Sequence, residues 1–217
     1  MYRAMIILSF VFGMGYASFD LKKRDVPRNI RFYLLMMETS FVLYLGFMAT
    51  FIQSRGKLLG LNGSGGAVGL ILGVLVFSRI TPQYKKEIMN AYIIVLPLMY
   101  GIGKIGCAFA GCCAGRSYNG LFSIHTEAGD LFPIQALEAI VFILTFAVSV
   151  YFKEKRSFDP LVAALIYSVL KVLLDFFRDT HPERMITTNQ IMCTIIATAL
   201  GIGIIIRKSR REKIVID

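Results

Sequence analysis

Histidine is nearly missing from this 217-residue chain: there are two, His125 and His181, both in polar stretches between apolar runs. Cysteine is scarce as well, and three of the four, Cys107, Cys112 and Cys113, follow a Cys-x4-Cys-Cys spacing that matches no standard zinc motif. Neither a metal ion nor any other cofactor is expected from this inventory. For the cysteines, a disulfide and a small apolar thiol filling a helix interface both stay open. The glycine-rich stretch GLNGSGG (60–66) lacks the GK[ST] ending of a phosphate loop and follows no soluble strand, which excludes a P-loop. No linker, low-complexity tract or soluble domain interrupts the apolar runs, so a single integral membrane domain, 1–217, is expected. Further apolar segments follow the first run, where a secretory leader would have a cleavage site and a soluble domain, and that run is expected to be retained as a span. No inverted repeat is apparent, which argues against a solute carrier.

What the chain has in abundance is hydrophobic sequence. Apolar residues make up 56% of it, mean hydropathy is +0.63, and runs long enough to cross a bilayer recur from end to end. The expectation is an all-α polytopic transmembrane bundle of about seven spans: Ala4–Phe19, Phe32–Gln53, Gly65–Ile80, Ala91–Cys113, Phe132–Phe152, Pro160–Phe177 and Ile186–Ile206. Net charge is +10, and placement gives it meaning. With the N-terminus outside, sixteen basic residues fall on the cytoplasmic side, six fall outside, and Lys104 and Lys171 lie within spans. That positive-inside bias puts the N-terminus outside and the C-terminus in the cytoplasm. The basic loops then act as topology signals that meet anionic lipid, and nucleic acid is not an expected partner.

The fourth span runs into YGIGKIGCAFAGCCAGRSYNG (100–120), where a membrane helix carries a lysine, glycines and cysteines. Lys104, Cys107, Gly111 and Gly115 would form one helical stripe near the outer surface. An ionisable residue inside a span costs about 2.5–3.5 kcal/mol on insertion scales and marks a functional site by default. In the sixth span, Tyr167, Lys171, Asp175 and Arg178 share a face, and Asp175 one turn from Lys171 keeps the ammonium charged. Lys104, Arg116, Lys171 and Arg178 at similar depth would make a cationic site suited to an anionic headgroup. The glycines of Gly111-xxx-Gly115 and Gly65-xxx-Gly69-xxx-Gly73 are expected mainly to let helices approach closely.

These residues resemble a known family. GKIGCAFAGCCAGR (103–116) is similar to the signature of the prolipoprotein diacylglyceryl transferases, Gly-Arg-x-Gly-Asn-Phe-x-Asn-Gly-Glu-x-x-Gly-Arg, with Gly103, Gly106, Gly111, Gly115 and Arg116 in register. FPIQALEA (132–139) resembles the family's His-Pro-x-Gln-Leu-Tyr-Glu-Ala, and YSVLKVLLDFFRD (167–179) its Tyr-x-x-x-Arg-x-x-x-Glu-Phe-x-Arg. NQIM (189–192) resembles the Gly-Gln-Ile segment opening the last span, and SGGAVGLILG (64–73) stands where the family has a His-Gly-Gly span start. The resemblance implies a seven-span enzyme of the bacterial plasma membrane. Such enzymes move the diacylglyceryl group of phosphatidylglycerol to the lipobox cysteine thiol of a prolipoprotein and release glycerol 1-phosphate. By register, Lys104, Lys171 and Asp175 would be catalytic, and Arg116, Arg178, Cys107, Cys112, Gln135, Glu138, Tyr167 and Ser64 would bind substrate. Phosphatidylglycerol or another anionic phospholipid, and a prolipoprotein, would be the partners. The sequence departs from the pattern at Lys104 and Lys171 (family Arg), Cys107 (Asn), Cys112 (Glu), Asp175 (Glu) and Ser64 (His). Charge sign survives at both cationic positions, but a lysine lacks the guanidinium fork, and the histidine base is replaced. A related transferase with another acceptor, or a non-catalytic lipid-binding protein of the same fold, are the alternatives.

Overall fold

The computed structural model describes residues 1–61, 63–126, 129–179 and 186–216, without side-chain detail for Ser64, Thr188, Asn189 and 210–216. Seven α-helices follow in chain order: α1 Tyr2–Lys23, α2 Arg28–Gln53, α3 Gly63–Ile80, α4 Lys85–Phe109, α5 Ile134–Glu154, α6 Pro160–Asp175 and α7 Thr188–Ile216. Segments within α1, α2, α4, α5 and α7 are each long and apolar enough to cross a membrane. At 16 residues, α6 rises only about 24 Å, short of a bilayer's hydrocarbon thickness. α3 is likewise a shorter apolar helix. Large side chains stand exposed along the helices, among them Phe12, Tyr44, Ile52, Leu144, Ile195 and Ile205, as lipid-facing surfaces require. This is a helical membrane protein.

The helices gather into two compact units, residues 14–92 and residues 1–13 with 93–217. In the first, α3 lies against α2 along the glycine stripe. A Cβ on Gly65 would come within 2.4 Å of Leu45 O, one on Gly69 within 2.5 Å of Phe41 O, and one on Gly73 within 2.6 Å of a Glu38 carboxylate oxygen. No side chain fits there, so the small-residue spacing read from the sequence sets how closely this helix pair packs.

In the second unit, α6 packs on α5 and α7. Ile134, Phe142, Ala163, Tyr167 and Leu174 form its apolar core. The first part of α1 crosses α4 where Gly13 meets Met99 and Gly106 meets Met5, and Ser9 Oγ donates to Met99 O at 2.7 Å. Asp159 caps α6 by accepting from the amides of Leu161 and Val162, with Pro160 in the first turn, and its other oxygen takes the Arg207 guanidinium of α7.

Two features depart from the all-α, seven-span expectation. Two short strands, β1 Ile124–Thr126 and β2 Gly129–Leu131, pair antiparallel, with His125 bonded to Asp130. Strands this short carry no readable alternation. The fourth helix also stops at Phe109, so Gly111 and Gly115 are off the helix and the four-residue stripe ending in them does not exist.

Candidate functional site

The end of α4 is a glycine-terminated cap. Gly111 has φ +63°, its amide donates to Ala108 O at 3.3 Å, and the Cys112 amide reaches back to Cys107 O at 3.2 Å. This pair of bonds is the Schellman arrangement, which brings the residue after the glycine onto the last helical turn. Gly111 therefore terminates the helix, and among the described residues nothing lies within 4 Å of where its Cβ would stand, contrary to the close-packing reading. The chain then turns again at Cys113, whose φ is +59°. As a result the sulfurs of Cys107, Cys112 and Cys113 all lie within 4.8 Å of one another, as free thiols.

From there residues 115–118 thread between two other segments. Gly115 bridges Arg178, the Arg116 amide donates to Phe177 O at 3.0 Å, and Phe132 N donates to Arg116 O at 3.0 Å. A Cβ on Gly115 would sit 2.1 Å from Phe132 O, so only glycine allows this approach. Gln135 clamps the loop by donating to Cys112 O at 2.8 Å.

Directly beneath, α4, α5 and α6 share one buried ion cluster centred on Glu138. Its Oε1 accepts from Tyr100 Oη at 2.8 Å and Lys171 Nζ at 3.0 Å. Its Oε2 takes Lys104 Nζ at 2.8 Å and an Arg178 terminal nitrogen at 3.1 Å. Lys171 and Arg178 also contact Asp175 Oδ1 at 2.9 and 3.0 Å, while Asp175 Oδ2 accepts from the Thr187 hydroxyl. Both lysine ammoniums lie over the Tyr100 ring, 5.2 and 5.7 Å from its centroid. Local spacing puts each helix's members on one face: Tyr100 and Lys104 are one turn apart on α4, Gln135 and Glu138 are neighbours on the first turns of α5, and Lys171, Asp175 and Arg178 follow on and just after α6. At Gly101, α4 can approach α5, since a Cβ there would meet Ile143 at 2.8 Å. Three cations face two carboxylates, leaving one net positive charge in a site where Glu138 is fully buried and Lys104 is 6% exposed.

Of the residues singled out from the sequence, Lys104, Lys171, Asp175, Arg178 and Glu138 meet in this cluster, with Gln135, Cys107 and Cys112 adjoining it. Arg116 does not join them; its guanidinium lies over the Phe177 ring, 5.1 Å from the centroid, and is exposed. Tyr167 turns away, its hydroxyl bonded to Ser149 Oγ at 2.6 Å. Ser64 opens α3 in the other unit, and its side chain lies outside the described atoms. The resemblance puts Glu138 among the substrate-binding residues, while in the fold it is the shared partner of three cations. The signal was its position as one of few carboxylates inside spans. Tyr100 and Thr187 were not anticipated, because neither is ionisable at neutral pH.

Comparisons with known proteins identify the family. Residues 1–207 match the family model described as prolipoprotein diacylglyceryl transferase. Among curated relatives, the phosphatidylglycerol–prolipoprotein diacylglyceryl transferase of Blochmanniella floridana is 24% identical over 88% of this chain and 85% of its own length. The enzyme of that name from Campylobacter hominis is 23% identical over 84% of this chain and 75% of its own length. The one from Dehalococcoides mccartyi is 24% identical over 71% of this chain, which spans 64% of that relative. With almost its whole length matched by the family model, the chain belongs to the prolipoprotein diacylglyceryl transferase family.

Proposed function

We propose that the chain transfers the diacylglyceryl group of phosphatidylglycerol to the lipobox cysteine thiol of a prolipoprotein, at the outer face of a bacterial plasma membrane. In this reading the seven helices form one membrane domain with the N-terminus outside and the C-terminus in the cytoplasm. The observation that carries the proposal is the net positive charge of the cluster: three cations converge where only two carboxylates oppose them. A phosphodiester brings one negative charge and acceptor oxygens that Lys104, Lys171 and Arg178 can bind. Charge grows on that phosphate as the carbon–oxygen bond breaks, and preorganised cations in a low-dielectric site stabilise it most in the transition state. Arg116, exposed over the Phe177 ring, would meet the outer part of the headgroup in this reading.

A second reading is favoured by Glu138 itself. Because it already contacts all three cations, the cluster is complete without a ligand, as in a lipid-binding protein of the same fold that performs no transfer. Purified protein incubated with labelled phosphatidylglycerol and a lipobox peptide separates the two. Thioether-linked diacylglycerol on the peptide supports transfer; tight lipid binding with no glycerol phosphate released and no modified peptide refutes it. Glycerol phosphate released without peptide modification points to another acceptor.

A further inference from the structure

The three thiols at the end of α4 take no part in the phosphate binding proposed above, and their geometry is unlike that of packing residues. Cys107 is on the last turn of α4, Cys112 is folded onto it by the cap, and Cys113 is turned back by its left-handed backbone, so one seven-residue segment gathers three sulfurs within 4.8 Å. Zinc bonded tetrahedrally to sulfur at about 2.3 Å needs sulfurs about 3.8 Å apart, so closing on an ion takes movements of about 1 Å or less. Burial is graded: Cys107 is buried, Cys112 half-buried and Cys113 exposed, which leaves one side open. Three protein ligands with an open position is the pattern of catalytic rather than structural zinc. An all-sulfur set also selects a thiophilic ion over magnesium or calcium.

The electrostatic setting suits thiolates. Lys104 acts on Cys107 and Cys113, and Arg178 on Cys113, and positive charge near a thiol favours its thiolate form. The transfer reaction, meanwhile, needs a deprotonated acceptor thiol. Glu138 and Asp175 are both held by cations, and the position of the family's histidine is Ser64. A metal-bound thiol loses its proton without a protein base.

We infer that Cys107, Cys112 and Cys113 form a three-thiolate zinc site whose open fourth position takes the acceptor thiol. The acceptor step rests on the transferase reading; the metal site does not. On binding, the thiol proton leaves to water. The sulfur lone pair then forms the bond to the glycerol carbon as the carbon–oxygen bond to phosphate breaks, and the bonding pair departs with the phosphate oxygen of glycerol 1-phosphate. The product thioether is neutral and a weaker ligand than a thiolate, so it can leave the ion.

The test uses the whole chain purified in detergent with a non-thiol reductant. After exposure to zinc and desalting, atomic emission is expected to find about one ion per chain in the wild type and in Cys193→Ser, which removes the fourth cysteine, on α7, and less than about a tenth of that in the triple variant C107S/C112S/C113S. Equal zinc in wild type and triple variant, or none in either, overturns the site. Because the triple variant could misfold, cobalt-loaded wild type gives a second readout. Its thiolate-to-metal charge-transfer absorption is expected to rise by about one-third when a lipobox peptide supplies a fourth thiolate, and not with a Cys-to-Ser peptide. An unchanged spectrum overturns the acceptor role. Neither measurement needs turnover, so a chain that loads metal and gains the fourth thiolate but forms no thioether would refute the transfer reaction and leave the site standing.

Discussion

Replacing Glu138 with glutamine keeps the side chain's volume and deletes the charge that Lys104, Lys171 and Arg178 share at 2.8 to 3.1 Å. The balance of the cluster goes from three positive against two negative to three against one, with Asp175 left to serve Lys171 and Arg178 alone. Removing one partner of a buried ion pair typically costs about 3–5 kcal/mol, because the remaining charge is stranded away from water. For a chain of this size that corresponds to a fall in melting temperature of roughly 6–20 °C. The loss of helical circular dichroism on heating in detergent measures it. The double variant E138Q/K104Q then supplies the sharper test. Removing a stranded ammonium should recover at least about 1 kcal/mol, within the range of coupling energies for contacting residues. If Glu138→Gln melts within about 0.5 kcal/mol of the wild type, the carboxylate is not what holds the three cations, and the account of the site fails.

Lys104→Ala should lower diacylglyceryl transfer by about 10²–10³, as loss of one donor to developing charge does, while Lys104→Arg keeps or raises it; unaffected turnover in Lys104→Ala would remove that residue from the mechanism. Burial opposes ionisation of Asp159, but the Arg207 guanidinium and the two capping amides outweigh it and depress its pKa. Its contribution to stability should therefore be fully present above its unfolded value of about 3.9 and fade as pH falls through the lower folded value, a slope that melting curves of Asp159→Asn should lack. Gly69→Leu, forced against Phe41 O, should separate α2 from α3 and sharply reduce the yield of folded protein; normal yield and melting would contradict the close approach. A C-terminal reporter is expected to be active only in its cytoplasmic form, and an external C-terminus would overturn the proposed orientation.

Much of this was legible in the sequence, and the reasons differ from element to element. That α3 packs closely on another helix could be read from glycines at every fourth position, though not that the partner is α2. The existence of the helices followed from hydropathy, since a bilayer demands long apolar runs. Where α4 ends could not be read that way: Cys107 to Gly115 continue a helical spacing on paper, and the backbone of Gly111 breaks it. The meeting of three cations was half visible in Lys104 and Lys171. Their shared partner was not, because pairing between Glu138 and helices on either side of it in sequence is a long-range fact that no local pattern encodes. The gathering of the thiols depended on the same cap and was hidden for the same reason.

The ion cluster also constrains how the chain can be threaded into a bilayer. Lys171 carries its own counter-ion, Asp175, one turn along α6, so that helix can enter with its charge already matched. Lys104 has no such companion on α4; its carboxylate arrives only with α5. Until then a bare ammonium among acyl chains costs about 2.5–3.5 kcal/mol, which favours α4 and α5 entering the membrane together as a hairpin.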